Sequence, residues 1–332
     1  MSNVTHAEQV EVLIDSHWKD NQEDGRRRHL GGSLIGRKCE RELWYSFRWA
    51  TITRHTGRLL RLFDRGHKEE FRFVEYLRQI GAEVHDYSQR LMYHDGSDSY
   101  TCLDWGLDWG DAESYTWLEC DDVSDSQMHI ERATARRQGP TQWRISDVGG
   151  HFGGSLDAIC YRIPGYEFFG LTGKDPILAE FKTHGEKSFA KLIKEGLEKA
   201  KPEHYSQMQT YMLKRGIKLA FYMAVNKNTD ELRCYWVVAD PQHGAGMISK
   251  ARDVIHAPQP PKRISDNPTW FACRFCDHKD VCHMGEPLSK SCRSCAFSMP
   301  VDDGKWFCAK WNSEIPDDVQ KDGCDAYSPI RE

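Results

Sequence analysis

The stretch Ile177-Leu178-Ala179-Glu180-Phe181-Lys182-Thr183 is a short apolar run that carries two charged residues. Its length and composition predict a buried β-strand. Because successive side chains of a strand point to opposite faces, Glu180 and Lys182 share one face. Two charges on a buried face are costly unless they are paired or bound to a metal ion. The stretch therefore predicts a central strand that carries either a structural ion pair or a functional site.

A second acidic residue, Asp157, precedes this strand in the segment Gly153-Gly154-Ser155-Leu156-Asp157-Ala158. Two carboxylates from adjacent strands offer the oxygen ligands that Mg²⁺ or Mn²⁺ prefers, and they leave positions for water and phosphate. A lysine beside them can orient a water molecule or stabilise developing negative charge. The pattern Asp…Glu-x-Lys also occurs by chance, so a salt-bridged structural role is the alternative at this point.

The pattern on either side of this strand predicts an α/β fold with a mixed central β-sheet flanked by helices. Strand-like segments span 142–146, 154–162, 220–226 and 233–239. Helical patterns span 34–49, 59–80 and 188–215, the last interrupted by Pro202. We divide the chain into a helical leader at 1–30, a core at 31–257 with an acidic insertion at about 93–138, a closing segment at 258–285 and a polar tail at 286–332.

The chain has 332 residues and a net charge of −5. This balance does not indicate a general affinity for polyanions, so any grip on DNA has to be local. Basic stretches at 26–38 and 187–201 could provide it, although both could also be solvated faces. No apolar run approaches the roughly 18 residues that cross a bilayer, and residues 1–22 lack the zones of a secretory signal. We therefore expect a cytoplasmic protein with no membrane contact.

Twelve cysteines are many for a cytoplasmic chain, where disulfides rarely persist, so their spacing is read as metal binding. The first set is the cluster Cys273-x2-Cys276-x5-Cys282, which needs a fourth ligand. Cys39 can supply it if the two ends of the chain meet. Four thiolates suit an iron–sulfur cluster or zinc, and spacing alone does not separate the two.

A second set, Cys292-x2-Cys295-x12-Cys308-x15-Cys324, predicts a zinc-ribbon-like tail. This tail is polar, and a bound Zn²⁺ would give it a reason to fold. Its aromatic residues Trp306 and Trp311 are expected to be exposed, where they could help to dock DNA or a partner. Simple structural closure of the chain is the alternative role.

The sequence resembles the PD-(D/E)XK nuclease superfamily, and its RecB-like branch, at several positions in the same order. Asp157 stands at the strand aspartate of that family, and Glu180-Phe181-Lys182-Thr183 matches its Glu-x-Lys-Thr element. The segment Gly66-His67-Lys68-Glu69-Glu70 places Glu70 at the acid of the upstream helix, with His67 as the competing metal ligand. Gln207 and Tyr211 match the Gln-x3-Tyr helix that holds the DNA strand in relatives.

One early cysteine followed by Arg41, Trp44 and Tyr45, and then by the late cysteine cluster, resembles the iron–sulfur RecB-like nucleases. That group includes CRISPR-associated exonucleases and the nuclease domain of AddAB. The resemblance implies a [4Fe–4S] cluster on Cys39, Cys273, Cys276 and Cys282 that fastens segment 258–285 to the start of the core. It also assigns Arg41 to the substrate beside Gln207 and Tyr211.

These resemblances imply a Mg²⁺- or Mn²⁺-dependent deoxyribonuclease in which Asp157, Glu180 and Glu70 bind the metal and Lys182 assists the water. Relatives commonly act as exonucleases on single-stranded DNA ends, which predicts a role in recombination, repair or DNA processing. A phage-encoded enzyme in the host cytoplasm, a recombination or replication partner, and an oligomer all fit this expectation. The alternative is a catalytically silent DNA-binding or recombination-partner module on the same fold. A redox protein that uses the cluster itself is disfavoured, because no flavin or nicotinamide fingerprint is present.

Overall fold

The structure is a computed structural model, and it describes residues 6–22, 24–86, 90–94, 100–104 and 143–330. Of 90–94 and 100–104 only the backbone pairing is described. Most of the predicted insertion at about 93–138 therefore lies outside the described residues. Within these ranges, no helix is long and apolar enough to cross a membrane.

The elements alternate between helices and strands along the chain. The strands are β1 (Leu30–Gly31), β2 (Glu83–His85), β3 (Arg90–His94), β4 (Tyr100–Asp104), β5 (Arg144–Asp147), β6 (Phe152–Ser155), β7 (Ala158–Tyr161), β8 (Ile177–His184), β9 (Leu219–Asn226), β10 (Leu232–Val238), β11 (Ser298–Pro300), β12 (Trp306–Cys308) and β13 (Ser313–Ile315). The helices are α1 (His6–Asp20), α2 (Glu40–Phe47), α3 (Gly57–Gln79), α4 (Glu186–Glu195), α5 (Leu197–Ala200), α6 (Pro202–Arg215), α7 (Pro241–His256), α8 (Phe271–Arg274) and α9 (Lys279–Met284), with 3-10 turns at Gly32–Leu34 and Tyr166–Phe169.

A five-stranded mixed sheet with the order β10-β9-β8-β7-β2 forms the centre of the fold. Strands β8 and β9 pair in parallel, with Glu180 opposite Tyr222, and the other neighbours are antiparallel. A short sheet with the order β1-β6-β5 lies beside it, β3 pairs with β4, and β11-β12-β13 forms the sheet of the tail. The predicted α/β class with a mixed central sheet flanked by helices is confirmed.

The alternation of β8 divides the core into two layers. Its odd-numbered residues, such as Phe181, cluster with Phe73 of α3 and Phe221 of β9. On the other face Leu178 clusters with Met208 and Met212 of α6. Each fully buried apolar side chain of this kind contributes about 1.5–3 kcal/mol. The apolar pattern thus fixes the register of β8 and places Glu180 and Lys182 on the α6 face.

Most helix and strand predictions agree with the structure to within two or three residues. Helix α3 begins after Thr56, whose hydroxyl accepts a hydrogen bond from the Leu59 amide (3.3 Å). Pro202 occupies the first turn of α6, where the missing amide hydrogen costs nothing, so it ends one helix and starts the next. Helix α7 is not among the predicted elements, although its Asp240-Pro241 start, with Asp240 accepting from the His243 amide (3.0 Å), is a recognisable capping signal.

Two predicted elements are corrected by the structure. The single strand at 154–162 is two strands, β6 and β7, which belong to different sheets. The chain leaves the ladder at Asp157 because its carboxylate accepts a hydrogen bond from the Phe181 amide (2.8 Å) instead. The helix at 34–49 is shorter, because only Glu40–Phe47 is α-helical after a 3-10 turn.

The tail packs against the main core through Trp306, which is 0% exposed, so its expected exposure is wrong. Its ring lies 5.2 Å from Phe47 and 5.7 Å from His151, measured between ring centroids. Burial of an indole ring removes a large apolar surface from water, and this stabilises the folded state. Trp311 is 62% exposed, as expected.

Candidate active site

Three carboxylates and one lysine come together at the central strand β8, and we call this group the acidic floor: Glu70, Asp157, Glu180 and Lys182. Asp157 lies where the chain passes from β6 to β7, directly before the residue that pairs with Ala179. The Lys182 ammonium contacts Glu180 and lies 3.4 Å from Asp157 Oδ2. It also donates to the Phe181 carbonyl (3.0 Å). The predicted shared face of Glu180 and Lys182 is thus confirmed.

Glu180 is the most buried of these groups, with 0% exposure and no hydrogen-bond partner for its Oε2 atom. Burial raises its pKa, and the Asp157 charge raises it further against the opposing effect of Lys182. Burial alone would lower the pKa of Lys182, but Asp157 and Glu180 outweigh this effect and raise it. Lys182 is therefore a permanent ammonium at neutral pH.

Glu70 reaches this group from α3. Burial and the neighbouring Asp157 raise its pKa to about 7, although Lys182 opposes the shift. The Lys182 ammonium therefore faces three carboxylates. Repulsion among these carboxylates favours the protonated forms of Glu70 and Glu180. His67, one turn earlier on α3, is exposed and lines the same cavity.

A cavity of about 1090 Å³ opens above the acidic floor. Glu70, Asp157 and Lys182 line it, and Gln207 and Tyr211 of α6 line it as well. Glycines make room for Tyr211, because a Cβ atom on Gly32 would lie 2.6 Å from its ring and one on Gly154 would overlap its hydroxyl. The residues predicted to bind Mg²⁺ or Mn²⁺ or the substrate are thus brought together at this cavity and its floor, except Arg41.

A second part of the lining, which we call the basic wall, consists of Arg27, Arg28, His29 and Arg144. Burial lowers the pKa of His29, and the charges of Arg27 and Arg144 lower it further, so this histidine is neutral at pH 7. The basic stretch 26–38 thus contributes Arg27 and Arg28, whereas the stretch 187–201 contributes no residue to the described lining. Sequence reasoning missed His29 and Arg144, and no local signal marks them.

A buried polar network supports the floor from the α6 side. The Tyr222 hydroxyl forms hydrogen bonds with His184 Nε2 (2.8 Å) and His204 Nδ1 (3.0 Å). Burial, reinforced by nearby lysines, lowers the pKa of His184 to about 4 and that of His204 to about 2, so both are neutral. His204 also lines the cavity. It precedes the Gln-x3-Tyr element by three residues, which is the signal that could have identified it.

Arg41 lies elsewhere, at a pocket formed by the first cysteine set. It is buried, and its guanidinium donates to Tyr45 Oη (3.1 Å) and to the Pro261 carbonyl (3.2 Å). That pocket is lined by all four cysteines of the set, Cys39, Cys273, Cys276 and Cys282. The start of the core and the closing segment 258–285 therefore do meet there.

The second cysteine set also shares one cavity, which lies in the tail and is lined by Cys292, Cys295, Cys308 and Cys324. Burial raises the pKa of the Cys292 thiol, and the other three thiols raise it further. Among the described residues, no group of three or more His, Cys, Asp or Glu side chains is arranged to hold a metal ion as it stands.

Comparisons with known proteins add little to this geometry. No protein-family profile matches the sequence, and no curated protein matches it significantly. The crystal structure of SSO0001 aligns over 82% of this chain and 96% of that one, with 13% identity and a TM-score of 0.41. LHK-Exo, an alkaline exonuclease from Laribacter hongkongensis, aligns in its dAMP complex over 72% of this chain and 90% of its own, with 14% identity and a TM-score of 0.36. A second LHK-Exo structure gives 13% identity and a TM-score of 0.35. TM-scores of this size do not establish a common fold.

Proposed function

We propose that this chain is a metal-dependent nuclease of the PD-(D/E)XK type, RecB-like branch, which hydrolyses DNA phosphodiesters. One observation carries the proposal: Glu70, Asp157 and Lys182 of the acidic floor line the same cavity as the basic wall. A phosphodiester needs cationic groups to hold its charge and a hard cation site at the bond that breaks. Neither region alone would distinguish an enzyme from an ion-pair cluster or a binding surface.

Asp157, Glu180 and Glu70 are the residues that would hold Mg²⁺ or Mn²⁺. Their fit to a divalent cation rests on Glu180 Oε2, a buried carboxylate oxygen without a hydrogen-bond partner. It rests also on the raised pKa values of Glu70 and Glu180, because a divalent cation would relieve the same repulsion that now favours protons. The ion, when bound, supplies Lewis-acid stabilisation of the phosphate charge.

Lys182 acts as a fixed positive charge and not as a base. Its raised pKa keeps the ammonium protonated, and an ammonium has hydrogen atoms to donate but no lone pair to accept a proton. Its contacts with Asp157 and Glu180 hold it at the cavity surface, where it can orient water or stabilise negative charge on a phosphate oxygen. Gln207 and Tyr211 would then position the strand from α6.

Single-stranded DNA is the substrate that the lining favours. Arg27 and Arg144 offer cations for phosphates, and Arg28 lines the same cavity while paired with Asp317 (2.6 Å). Phe71, adjacent to Glu70 on α3, lines the same cavity and is 58% exposed. An exposed aromatic ring in a cavity that also carries cations is the usual platform on which unpaired bases stack. We therefore propose an exonuclease that acts on single-stranded ends.

The test is digestion of end-labelled single-stranded DNA by the purified chain with Mn²⁺. Asp157→Asn and Lys182→Met should each lower the rate at least about 100-fold, because they remove charge from the reacting centre without changing side-chain volume greatly. The matched control is Asp175→Asn, since Asp175 is a partly exposed residue outside the cavity that accepts a hydrogen bond from the Thr172 hydroxyl (2.6 Å). Equal digestion by the wild type and Asp157→Asn would sink the site assignment.

The catalytically silent module predicts a different result from the same reagents. A silent protein would bind the labelled strand and leave it intact at every metal concentration. Circular and end-blocked strands complete the design, because cleavage of circular DNA would exclude an obligate exonuclease. A recombination or replication partner, an oligomer and a phage origin stay predictions.

We further propose that Cys39, Cys273, Cys276 and Cys282 hold a [4Fe–4S] cluster, with zinc as the alternative metal. Support comes from the shared pocket, which collects one cysteine from before α2 and three from the closing segment. The protein purified without oxygen should be brown, with broad thiolate-to-iron absorption near about 400 nm that Cys276→Ser removes. A colourless protein that contains zinc at this site would contradict the iron assignment and leave the nuclease untouched.

A further inference from the structure

The strongest unassigned feature is the cysteine cavity of the tail. Four thiols from three separate parts of the tail line one cavity of about 180 Å³. Cys292 and Cys295 form a turn in which the Cys295 amide donates to the Cys292 carbonyl (3.1 Å). Cys308 ends β12, and Cys324 lies in the last turns of the described chain. A Cys-x2-Cys turn facing single cysteines is the arrangement of four-thiolate zinc sites.

The packing of the tail indicates why it needs such a centre. Polar side chains make up about half of its buried residues, among them Ser291, Arg293, Ser294 and Gln320. Arg293 is 0% exposed and donates to Gln320 Oε1 (3.0 Å). Polar contacts of this kind contribute only about 1 kcal/mol each net of solvent. Three short strands with so little apolar surface require a cross-link to hold one conformation.

We propose that Cys292, Cys295, Cys308 and Cys324 bind one structural Zn²⁺ ion. All four positions are protein ligands, so the site is closed and has no open coordination position for chemistry. The thiols among the described residues are not arranged to hold an ion as they stand, so metal binding would require a change of their side-chain rotamers. The proposal does not depend on the nuclease function.

The consequence of this site reaches the basic wall, because the tail holds the segment that carries Arg27 and Arg28. The Arg293 guanidinium donates to the carbonyls of Arg27 (3.3 Å) and Arg28 (2.8 Å). Lys321 pairs with Asp24 (2.8 Å), four residues before Arg28. The zinc-bound tail thus braces one side of the cavity, and this step alone rests on the proposed function.

Zinc and iron in the purified full-length chain are quantified by mass spectrometry, independently of activity. The wild type should contain zinc, and Cys308→Ser and Cys324→Ser should each contain one zinc ion per chain fewer than the wild type. The control is Cys234→Ser, which removes an exposed thiol of β10 and should keep the zinc. A wild type without zinc overturns the proposal, and so does Cys308→Ser with unchanged zinc. Iron that disappears with Cys308→Ser overturns it as well.

Thiol alkylation of the wild type covers the case in which these variants do not fold. In the zinc-loaded chain the four tail thiols should react with iodoacetamide at least about tenfold more slowly than Cys234, because metal-bound thiolates are shielded. Removal of zinc with a chelator should abolish the difference. Tail thiols that react as fast as Cys234 while zinc is bound overturn the proposal.

Discussion

The acidic floor and the basic wall face one cavity but are held in place in different ways. Three of the four floor residues lie on regular elements, with Glu70 on α3 and Glu180 and Lys182 on the central strand β8, and Asp157 directly precedes β7. Most of the wall lies on irregular chain before β1, and Arg144 begins the edge strand β5. The sheet therefore fixes the groups proposed for chemistry, whereas contacts with the tail fix the groups proposed for binding DNA.

The two regions also differ in how they affect the stability of the fold. At the floor the close carboxylates oppose folding, and the surrounding apolar layers hold them together. At the wall the contacts themselves hold the chain, through Arg293 and through the pair formed by Lys321 and Asp24. Loss of a floor carboxylate should therefore lower activity without lowering stability, whereas changes in the brace should lower stability and raise KM while leaving kcat nearly unchanged.

The largest expected effect is that of Glu70→Gln. It should lower the rate of DNA digestion at least about 100-fold, because one oxygen ligand of the proposed metal site loses its charge. In a chelator it should stabilise the fold at pH 8 by about 2 kcal/mol, after allowance for partial solvent exposure. The raised pKa of about 7 means that Glu70 favours the folded state below its ordinary pKa and that this advantage is lost as the pH rises through 7.

Urea unfolding of the wild type and Glu70→Gln at pH 5 and pH 8 measures this difference. The curves should nearly coincide at pH 5 and separate at pH 8. Glu75→Gln is the control, because Glu75 is an exposed acid on the same helix that pairs with Arg78 (3.4 Å). A Glu70→Gln chain that is no more stable than the wild type at pH 8 would show that the floor carries no electrostatic strain.

The sequence predicted the floor well and the wall poorly, for physical reasons. An apolar strand with a period of two determines its own faces, so the residue pattern alone places Glu180 and Lys182 on one side of β8. The position of Arg144 and His29 depends on which distant segments pack together, and nearby residues do not encode that. The exposure predicted for Trp306 was wrong for the same reason, since its burial depends on Phe47, about 260 residues earlier in the chain. The strand break at Asp157 was missed because the apolar pattern continues across it.

The second prediction concerns the brace. Arg293→Met should lower the free energy of unfolding by about 2–4 kcal/mol, because it removes hydrogen bonds to two carbonyls and the stacking of the guanidinium 3.8 Å from the Trp49 ring centroid. In digestion assays it should raise KM for single-stranded DNA and leave kcat within about twofold of the wild type, since the floor is untouched.

Unfolding in urea and digestion kinetics measure the two parts of this prediction. Zinc content is measured on the same samples, so that loss of the metal is distinguished from loss of the guanidinium. The control is Arg233→Met, which removes an exposed arginine that stacks on Tyr235 and should change stability by less than about 1 kcal/mol. A fall in kcat equal to the fall in kcat/KM would mean that the brace supports the floor and not the wall.

The smallest expected effect belongs to a single cation of the wall. Arg144 begins β5 and lines the cavity with an exposed side chain, so Arg144→Gln should leave the fold unchanged. If this arginine neutralises one phosphate, affinity for single-stranded DNA should fall by about 1 kcal/mol, and the slope of log affinity against log salt should become shallower by about 0.7. Fluorescence anisotropy without added Mg²⁺ or Mn²⁺ measures both without cleavage. Arg233→Gln removes the same charge outside the cavity and should leave the slope unchanged. Equal slopes for all three proteins would show that Arg144 does not contact the strand, because a cation that neutralises a phosphate releases counterions.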